Sequence, residues 1–314
     1  GFSLIPMVDE NRSGDLVDRI RSVRDQVFED LGFMVPPVAV RDNIALDNTT
    51  YRIMIRGLNR GQGSVYRDSL LAIDPGGVNA PIEGVKVKDP AFDFDAVWIA
   101  TDRREAAEAM GYTVVDAVNV ITTHVTKVVR EHAHDLLSRQ AVSDVIEDLK
   151  KTDEAVVDEL IPDRLSIGVI HRVLQSLLAE GVPIHDLATV LEILSDHADH
   201  SKDPATLAEF SRQGLAGHIV AQSLNDSGKL VAVTLQPQLE RELRESLVSG
   251  ANGLQFLAIA PERAVAILEA VVSQCQKIEA DVGSEIVLLV SPAVRRFVRQ
   301  LIEKRLPELP VLSH

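Results

Sequence analysis

The spacing of apolar residues changes along this chain, and these changes restrict its fold more than any other feature of the sequence. Up to residue 116, an amphipathic helical pattern is followed by short strand-like runs. From about residue 137 to 216, one helical pattern follows another, separated by Pro or Gly signals. Beyond residue 217, strands and helices alternate again. We therefore predict an α/β protein of several domains, with an all-α middle part and a C-terminal α/β part.

Individual elements of the first half can also be predicted. A helix is expected within residues 13–33, where apolar residues recur every three or four positions. The segments 35–46 and 50–58 are expected to be strands, and the glycine-containing segment 59–64 a hairpin-type loop. Strands flanking a short helix make residues 68–116 an α/β unit. Residues 118–149 are expected to be helical with a break.

Composition argues against several classes of function. The 314 residues suffice for two to four domains, and the net charge of −15 disfavours a nucleic-acid binder or adhesion to an anionic membrane. No run of about 20 apolar residues is present, and the single cysteine, Cys275, cannot form an internal disulfide. The first residues lack the basic and apolar regions of a signal peptide. We expect an intracellular fragment of a longer protein.

The segment 169–194 has the length of a DNA-binding helix-turn-helix motif. Residues 137–216, however, carry 15 acidic and 7 basic side chains. Phosphate neutralisation needs clustered Lys and Arg, so this charge disfavours DNA binding. A helical bundle or a winged-helix-like segment without DNA contact is the better interpretation.

The sequence contains no strong catalytic motif. There is no GxSxG pattern, and Cys275 lies in a helical pattern that indicates a packed small residue. His197 and His200, three residues apart beside two aspartates, could place two metal ligands together. A polar helix end explains the same residues, so a metal-dependent hydrolase is a distant alternative. His132 and His134, two residues apart, are expected to diverge on a helix.

A basic run stands out near the end of the acidic chain, formed by Arg295, Arg296, Arg299, Lys304 and Arg305. Arg295 and Arg299 are four residues apart and share a helix face. Such a run is typical of a solvated helix face. The alternative is that these two arginines form salt bridges to an acidic neighbouring chain.

The segment 87–99 interleaves aromatic and acidic residues, which is unusual for a core strand and for a surface loop. Phe92 and Phe94 are two of eight phenylalanines in the chain, and they alternate with Asp89, Asp93 and Asp95. One interpretation is that both rings cap the edge of a core. The other is a partner-binding pocket, in which aromatics supply binding energy and an acid orients the partner.

Several long motifs carry a family resemblance. In chain order they include "GFSLIPMVD", "DLGFMVPPVAVRDN", "LAIDPG", "DPAFDFDAVWI" and "LPVLS". Together they resemble the cytoplasmic domain of the bacterial type III export-gate family, also called FHIPEP, from end to end. The segment "LLSRQ" is closer to the flagellar branch than to the injectisome branch, which is the alternative. The resemblance implies a docking platform of the export apparatus, not an enzyme, with no metal and no cofactor.

The resemblance also implies a domain organisation. A discontinuous α/β subdomain of residues 1–67 and 117–136 would hold a small inserted α/β subdomain of residues 68–116. A helical subdomain, 137–216, and a C-terminal α/β subdomain, 217–314, would follow. In this family, a transmembrane region and a linker precede the domain. The domain lies on the cytoplasmic side of the bacterial inner membrane and forms a ring, usually a nonamer.

The family's partner site falls on specific residues of this chain. In flagellar members, a dimple between the first two subdomains receives export chaperones loaded with late substrates. Its aspartate and phenylalanine correspond to Asp89 and Phe92, and its threonine corresponds to Thr123. Residues on the apolar lining correspond to Ile73, Pro75 and Phe94. Asp89 is expected to be an exposed acid that pairs with a donor on the chaperone.

Further partners follow from the same resemblance. The family binds the stalk of the export ATPase and the ATPase complex, and its members associate with one another in the ring. Arg295 and Arg299 are the candidates for contacts between subunits. Nucleic acid is not expected as a partner, and membrane contact is expected only through the preceding transmembrane region.

Overall fold

The chain divides into two compact units. The computed structural model describes residues 1–8, 15–225, 227–250, 254–283 and 285–314. Unit 1 comprises residues 1–157 and 166–187, and unit 2 comprises residues 158–165 and 188–314. Within the described ranges, no helix has the length and apolar character needed to cross a membrane.

Unit 1 combines a β-hairpin, a four-stranded sheet and a set of helices. Its elements in chain order are α1 (Leu16–Leu31), β1 (Thr50–Ile55), β2 (Leu58–Ser64), β3 (Ser69–Ile73), β4 (Val85–Lys88), β5 (Asp95–Ala100), α2 (Arg104–Ala109), β6 (Thr113–Asp116), α3 (Ala117–Glu131), α4 (Ala133–Leu136), α5 (Arg139–Lys150), α6 (Glu154–Leu160), which spans the boundary after residue 157, and α7 (Ile167–Ala179). The strands β1 and β2 pair with each other, and the sheet order is β4–β5–β3–β6. All these pairings are antiparallel.

Two predictions for residues 35–64 are wrong. Residues 35–46 form no strand, because Pro36 and Pro37 lack the backbone N–H that a β-ladder requires. The segment 59–64 is not a loop but most of β2. The hairpin turn lies instead at Arg56 and Gly57, whose φ angles are both positive, at 48° and 80°. Two such residues make a turn whose twist suits a tight hairpin.

The four-stranded sheet buries its central strands. Residues 96–99 of β5 are all buried, because β5 pairs with β4 on one side and with β3 on the other. Strands β3, β5 and β6 and helix α2 confirm the α/β unit predicted for residues 68–116. Sequence analysis missed β4, because this strand has only four residues, VKVK, and two of them are charged. Three of the four residues are exposed in the structure. The core of this sheet consists of Leu70, Ala72, Ile82, Val97, Ile99, Ala107 and Tyr112.

Helices occupy the regions in which helical periodicity predicted them. In α1 the buried residues are Leu16, Ile20, Val23, Val27 and Leu31, which lie on one face. The break predicted within residues 118–149 is confirmed, because α3 ends at Glu131 and α4 begins at Ala133. The helices predicted in residues 137–216 are confirmed as well, and the last of them divides at Leu215.

Unit 2 contains a small parallel sheet covered by helices. Its elements are α8 (Leu187–His197), which begins at the last residue of unit 1, α9 (Pro204–Gly214), α10 (Ala216–Gln222), β7 (Ala232–Thr234), α11 (Pro237–Glu245), β8 (Leu247–Ser249), β9 (Gln255–Leu257), α12 (Pro261–Val282), β10 (Val287–Val290), α13 (Arg295–Ile302) and β11 (Val311–Ser313). The strand β10 lies between β7 and β11 and is parallel to both. Strands β8 and β9 form an antiparallel pair.

The main core cluster of unit 2 is aliphatic apart from Cys275. Its buried members are Leu243, Ile267, Val271, Cys275, Ile286, Leu288, Val290, Val294, Val298, Ile302, Leu309 and Val311. Cys275 is 1% exposed within this cluster, which confirms its interpretation as a packed small residue, and this burial raises the pKa of its thiol. The two units together confirm the mixed α/β class, whereas the boundaries of the four subdomains stay a prediction.

Candidate functional site

A closed loop, residues 89–94, joins β4 to β5 and carries the two phenylalanines. The strand pairing ends at Lys88 and Asp95, and the Asp89 amide then donates to the Phe94 carbonyl at 2.8 Å. The Asp93 amide donates back to the Asp89 carbonyl at 2.9 Å. Asp93 closes the loop in a left-handed conformation, with φ 61°. These bonds fix the loop conformation without any contribution from a partner.

The side chain of Asp89 stabilises this loop from inside. Asp89 is only 4% exposed. Its Oδ2 accepts hydrogen bonds from the backbone amides of Ala91, at 3.1 Å, and Phe92, at 2.7 Å. The expectation of an exposed acid at this position is therefore wrong, because the carboxylate turns inward to satisfy backbone donors that would otherwise lack a partner.

Phe92 and Phe94 themselves lie at the surface. Their exposed fractions are 54% and 50%, and their ring centroids are 6.2 Å apart. The ammonium of Lys127, on α3, lies 5.2 Å from the Phe92 ring centroid, within the range of a cation–π contact. Thr123 is exposed one helical turn before Lys127 on the same helix. Neither phenylalanine is a core residue, so the core-edge interpretation is not supported.

A pocket of about 510 Å³ opens beside Phe92. Its wall comprises residues of β2, β3, β4, β5, α3 and the loop, namely Gln62, Gly63, Ser64, Leu71, Val87, Lys88, Asp89, Pro90, Ala91, Phe92, Asp93, Trp98 and Lys127. At Gly63 a Cβ atom would lie 2.7 Å from the Tyr51 hydroxyl. Glycine at this position therefore lets β2 approach Tyr51 closely.

A buried polar pair lies in the same region of unit 1. The Tyr51 hydroxyl is 2.7 Å from Nδ1 of His124, which is a hydrogen-bonding distance. Burial raises the pKa of Tyr51, and the charge of Asp89 adds to this increase. Burial lowers the pKa of His124, although Asp89 opposes this decrease. Asp89 thus acts electrostatically on both members of the pair.

The other predicted site residues, Ile73, Pro75, Phe94 and Thr123, do not line this pocket. Ile73 is half-buried in β3, between Ala96 and Thr113, and Pro75 is exposed just after that strand. Sequence analysis missed Trp98 and Lys127, which do line the pocket. The sequence did contain features that could have indicated these two residues. Trp98 is the one tryptophan of the sequence and lies close to the two phenylalanines. Lys127 follows Thr123 by one helical turn.

The two candidate subunit-contact arginines differ in burial. Arg295 is 2% exposed, pairs with the carboxylate of Glu209 and donates to the Val311 carbonyl at 3.1 Å. The interpretation as a solvated helix face is therefore wrong for Arg295. Arg299 is half-buried and donates to the carbonyls of Leu309 and Pro307 at 3.0 and 2.9 Å. A contact with another subunit stays a prediction for both residues.

The distant metal-hydrolase alternative receives no support from His197 and His200. The His197 ring stacks on Phe210 with a centroid distance of 3.9 Å, and the two histidine rings are 6.3 Å apart. Among the residues that the structure describes, no third ligand joins this pair in a metal-like group. The stacking contact instead explains His197 as part of the helix packing.

Comparison with known proteins shows similarity to one family along the whole chain. The model of the FHIPEP family matches residues 1–314. The flagellar biosynthesis proteins FlhA of Bacillus subtilis and Salmonella typhimurium are 37% and 35% identical over 314 residues. Each alignment covers all of this chain but only 46% and 44% of those relatives, so the chain spans about half of their length.

Solved structures show the same fold. The Chlamydia pneumoniae CdsV protein superposes with a TM-score of 0.79 at 24% identity, covering 98% of this chain and 88% of that chain. The nonameric SctV-C of EPEC gives a TM-score of 0.75 at 26% identity, covering 95% of this chain and 89% of that chain.

Proposed function

The chain belongs to the FHIPEP family, and on that premise we propose that it is a non-enzymatic docking platform of a flagellar protein export apparatus. It binds export chaperones that carry late substrates, and it does so at the pocket beside Phe92. The curated relatives named above are flagellar proteins, which supports the flagellar assignment over the injectisome alternative.

The observation that carries this proposal is the exposed aromatic pair on a hydrogen-bonded loop. Phe92 and Phe94 present about half of their surface to solvent while their backbone is already fixed. A preorganised aromatic loses little conformational entropy when a partner covers it, so its burial contributes to affinity. Large exposed apolar side chains beside a pocket are typical of a protein interface.

The geometry favours an α-helix as the docking element of the partner. The loop and the Lys127 side chain of α3 both line the pocket, and they contact each other at the Phe92 ring, so an exposed apolar and cationic surface lies beside the pocket. An amphipathic partner helix covers such a surface with residues spaced three or four apart. Thr123 is exposed on α3 one helical turn before Lys127, and we place it at the edge of the partner's contact surface.

Asp89 contributes to binding indirectly in this proposal. Its carboxylate accepts a hydrogen bond from the Phe92 backbone amide, and the residue is only 4% exposed. A hydrogen-bond donor on a chaperone therefore has little access to it. We therefore assign to Asp89 the positioning of Phe92. The family resemblance instead implied a direct pairing with the chaperone.

The wider role follows from the same premise. The chain assembles into a ring on the cytoplasmic face of the bacterial inner membrane, where it also meets the stalk of the export ATPase and the ATPase complex. The nonameric state of SctV-C, which is 26% identical and shares this fold, supports the ring.

The test is a titration of the chain with a flagellar filament-type chaperone, loaded with its substrate or empty. Phe92→Ala is expected to weaken binding of the loaded complex by about thirty-fold or more, equivalent to about 2 kcal/mol. Phe256→Ala is the matched control, because Phe256 is also 50% exposed but lies on β9 of unit 2. Undiminished affinity in Phe92→Ala would refute the assignment, and failure of the wild-type chain to bind flagellar chaperones would favour the injectisome branch.

A further inference from the structure

The break between α3 and α4 brings together three side chains that can bind a metal ion. The sequence pattern predicted that His132 and His134 diverge, because residues two apart point away from each other on a helix. They do not share one helix, however, since His132 lies between α3 and α4 with φ −110° and ψ 21°. Their ring centroids are 6.2 Å apart, and Asp135 lies beside both.

The distances within this group suit a cation. Nδ1 of His132 and Nε2 of His134 are 3.5 and 3.7 Å from Oδ2 of Asp135. Both distances exceed those of good hydrogen bonds. They are close to the separation of about 3.3–3.4 Å between two ligands of a tetrahedral zinc ion with bonds of about 2.0–2.1 Å. One ligand atom from each of the three residues lies within 4.8 Å of the others.

One ring nitrogen that faces Asp135 has no hydrogen-bond partner among the described residues. Nδ1 of His132 is buried and lies 3.5 Å from Oδ2 of Asp135, too far for a good hydrogen bond. A buried polar atom without a partner costs free energy, so its presence indicates a ligand or a solvent molecule.

The backbone around the group is held in place by α7. Nε2 of Gln175 donates to the His134 carbonyl at 2.8 Å, and Nε2 of His171 lies 2.9 Å from the Leu137 carbonyl. A metal site needs ligands that are oriented before the ion arrives, and these two contacts fix the turn that carries them.

We propose that His132, His134 and Asp135 form a binding site for a divalent transition-metal ion of the zinc type. The protein supplies three ligands, and a water molecule completes the tetrahedron. The Arg60 guanidinium competes with the metal ion for the Asp135 carboxylate, since Nη2 of Arg60 lies 3.3 Å from the same Asp135 oxygen. About one third of the Arg60 side chain is exposed, so it has room to turn away when an ion binds.

Titration of the chelator-treated 314-residue chain with Zn²⁺ tests the proposal. We expect one ion per chain with a dissociation constant in the micromolar range or below, and a loss of at least about tenfold in affinity in His134→Ala and Asp135→Asn. His200→Ala is the matched control, because His200 is an exposed histidine outside the group, and it should bind as the wild type does. Binding that survives both ligand substitutions, or that disappears in His200→Ala, would overturn the proposal.

Arg60→Ala gives a second readout that a merely structural role would not produce. Removal of the competing guanidinium is expected to increase Zn²⁺ affinity, whereas an ion-pair cluster without a metal function would show no binding in either protein. Co²⁺ added in place of Zn²⁺ should give the intense visible absorption of a tetrahedral site. Absence of that spectrum, or an Arg60→Ala chain that binds Zn²⁺ more weakly than the wild type, would overturn the assignment.

Discussion

Asp89→Ala should destabilise unit 1 much more than an exposed acid would. The substitution removes the acceptor of two backbone amides, those of Ala91 and Phe92. A hydrogen bond to a charged group contributes about 1.5–3 kcal/mol, and the two bonds share one oxygen, so they are not additive. We therefore expect the free energy of unfolding to fall by about 2–4 kcal/mol. Asp89→Asn keeps an acceptor and should cost about 1 kcal/mol.

The assay is urea denaturation followed by tryptophan fluorescence. Trp98 is the one tryptophan of the sequence, and it is buried in β5 beside the loop, so its signal reports on unit 1. Asp95→Ala is the matched control, because Asp95 also borders the loop but is exposed and forms a surface ion pair with Lys88 at 3.1 Å. Its midpoint should be essentially unchanged, since surface ion pairs contribute little.

The same variant has a second expected effect, on binding. Without the Asp89 carboxylate, the Phe92 amide loses its acceptor and the loop is no longer fixed before a partner arrives. Affinity for the loaded chaperone should therefore fall in Asp89→Ala even under conditions in which the chain stays folded. A denaturation midpoint equal to that of the wild type would refute the reasoning, because it would mean that the buried carboxylate does not stabilise the loop.

Thr123→Met should weaken chaperone binding at least about tenfold by adding bulk on the exposed face of α3, while the thermal melt stays close to that of the wild type. Gly63→Ala should destabilise unit 1 by about 1–3 kcal/mol, because the new methyl group would lie 2.7 Å from the Tyr51 hydroxyl; an unchanged midpoint would contradict this. Arg295→Glu should unfold unit 2, since it leaves Glu209 facing a like charge. Arg299→Glu should lower the thermal melting temperature less, because Arg299 is only half-buried, but it should still lower it, since the new carboxylate cannot donate to the carbonyls of Leu309 and Pro307. At micromolar concentration the isolated chain should be a monomer or weak oligomer, because its net charge of −15 opposes self-association; a stable ring in light scattering would contradict this.

Helices were predictable from this sequence because their signal is local. Apolar residues every three or four positions, as in α1, identify the buried face without knowledge of any partner. Strands were less predictable, because a strand is stabilised by its neighbour. The glycines of β2 are typical of a loop, and only the pairing with β1 makes this segment a strand. In residues 35–46 the apolar residues are typical of a strand, but Pro36 and Pro37 lack the backbone N–H groups that strand pairing requires.

For the candidate site, the unusual spacing of Phe92 and Phe94 drew attention to the segment but left a core edge and a partner-binding pocket open, and the structure shows both rings exposed. Binding at this site stays a prediction. The inward orientation of Asp89 was not predictable, because an aspartate that accepts backbone amides has the same sequence signature as a solvated one. Arg295 shows the same limitation, since its partner Glu209 lies 86 residues away in the sequence.

The hydrogen bonds that shape the aromatic loop all begin and end within residues 89–94. These hydrogen bonds are therefore encoded by six consecutive residues, whereas the burial of Asp89 and Ala91 and the contact of Lys127 with Phe92 come from the rest of unit 1. A short peptide cyclised across the positions of Lys88 and Asp95 should adopt much of the same shape in isolation, since these two positions are paired across the strands. Such a peptide would serve as a soluble decoy for the chaperone and as a module for transplantation onto an unrelated hairpin.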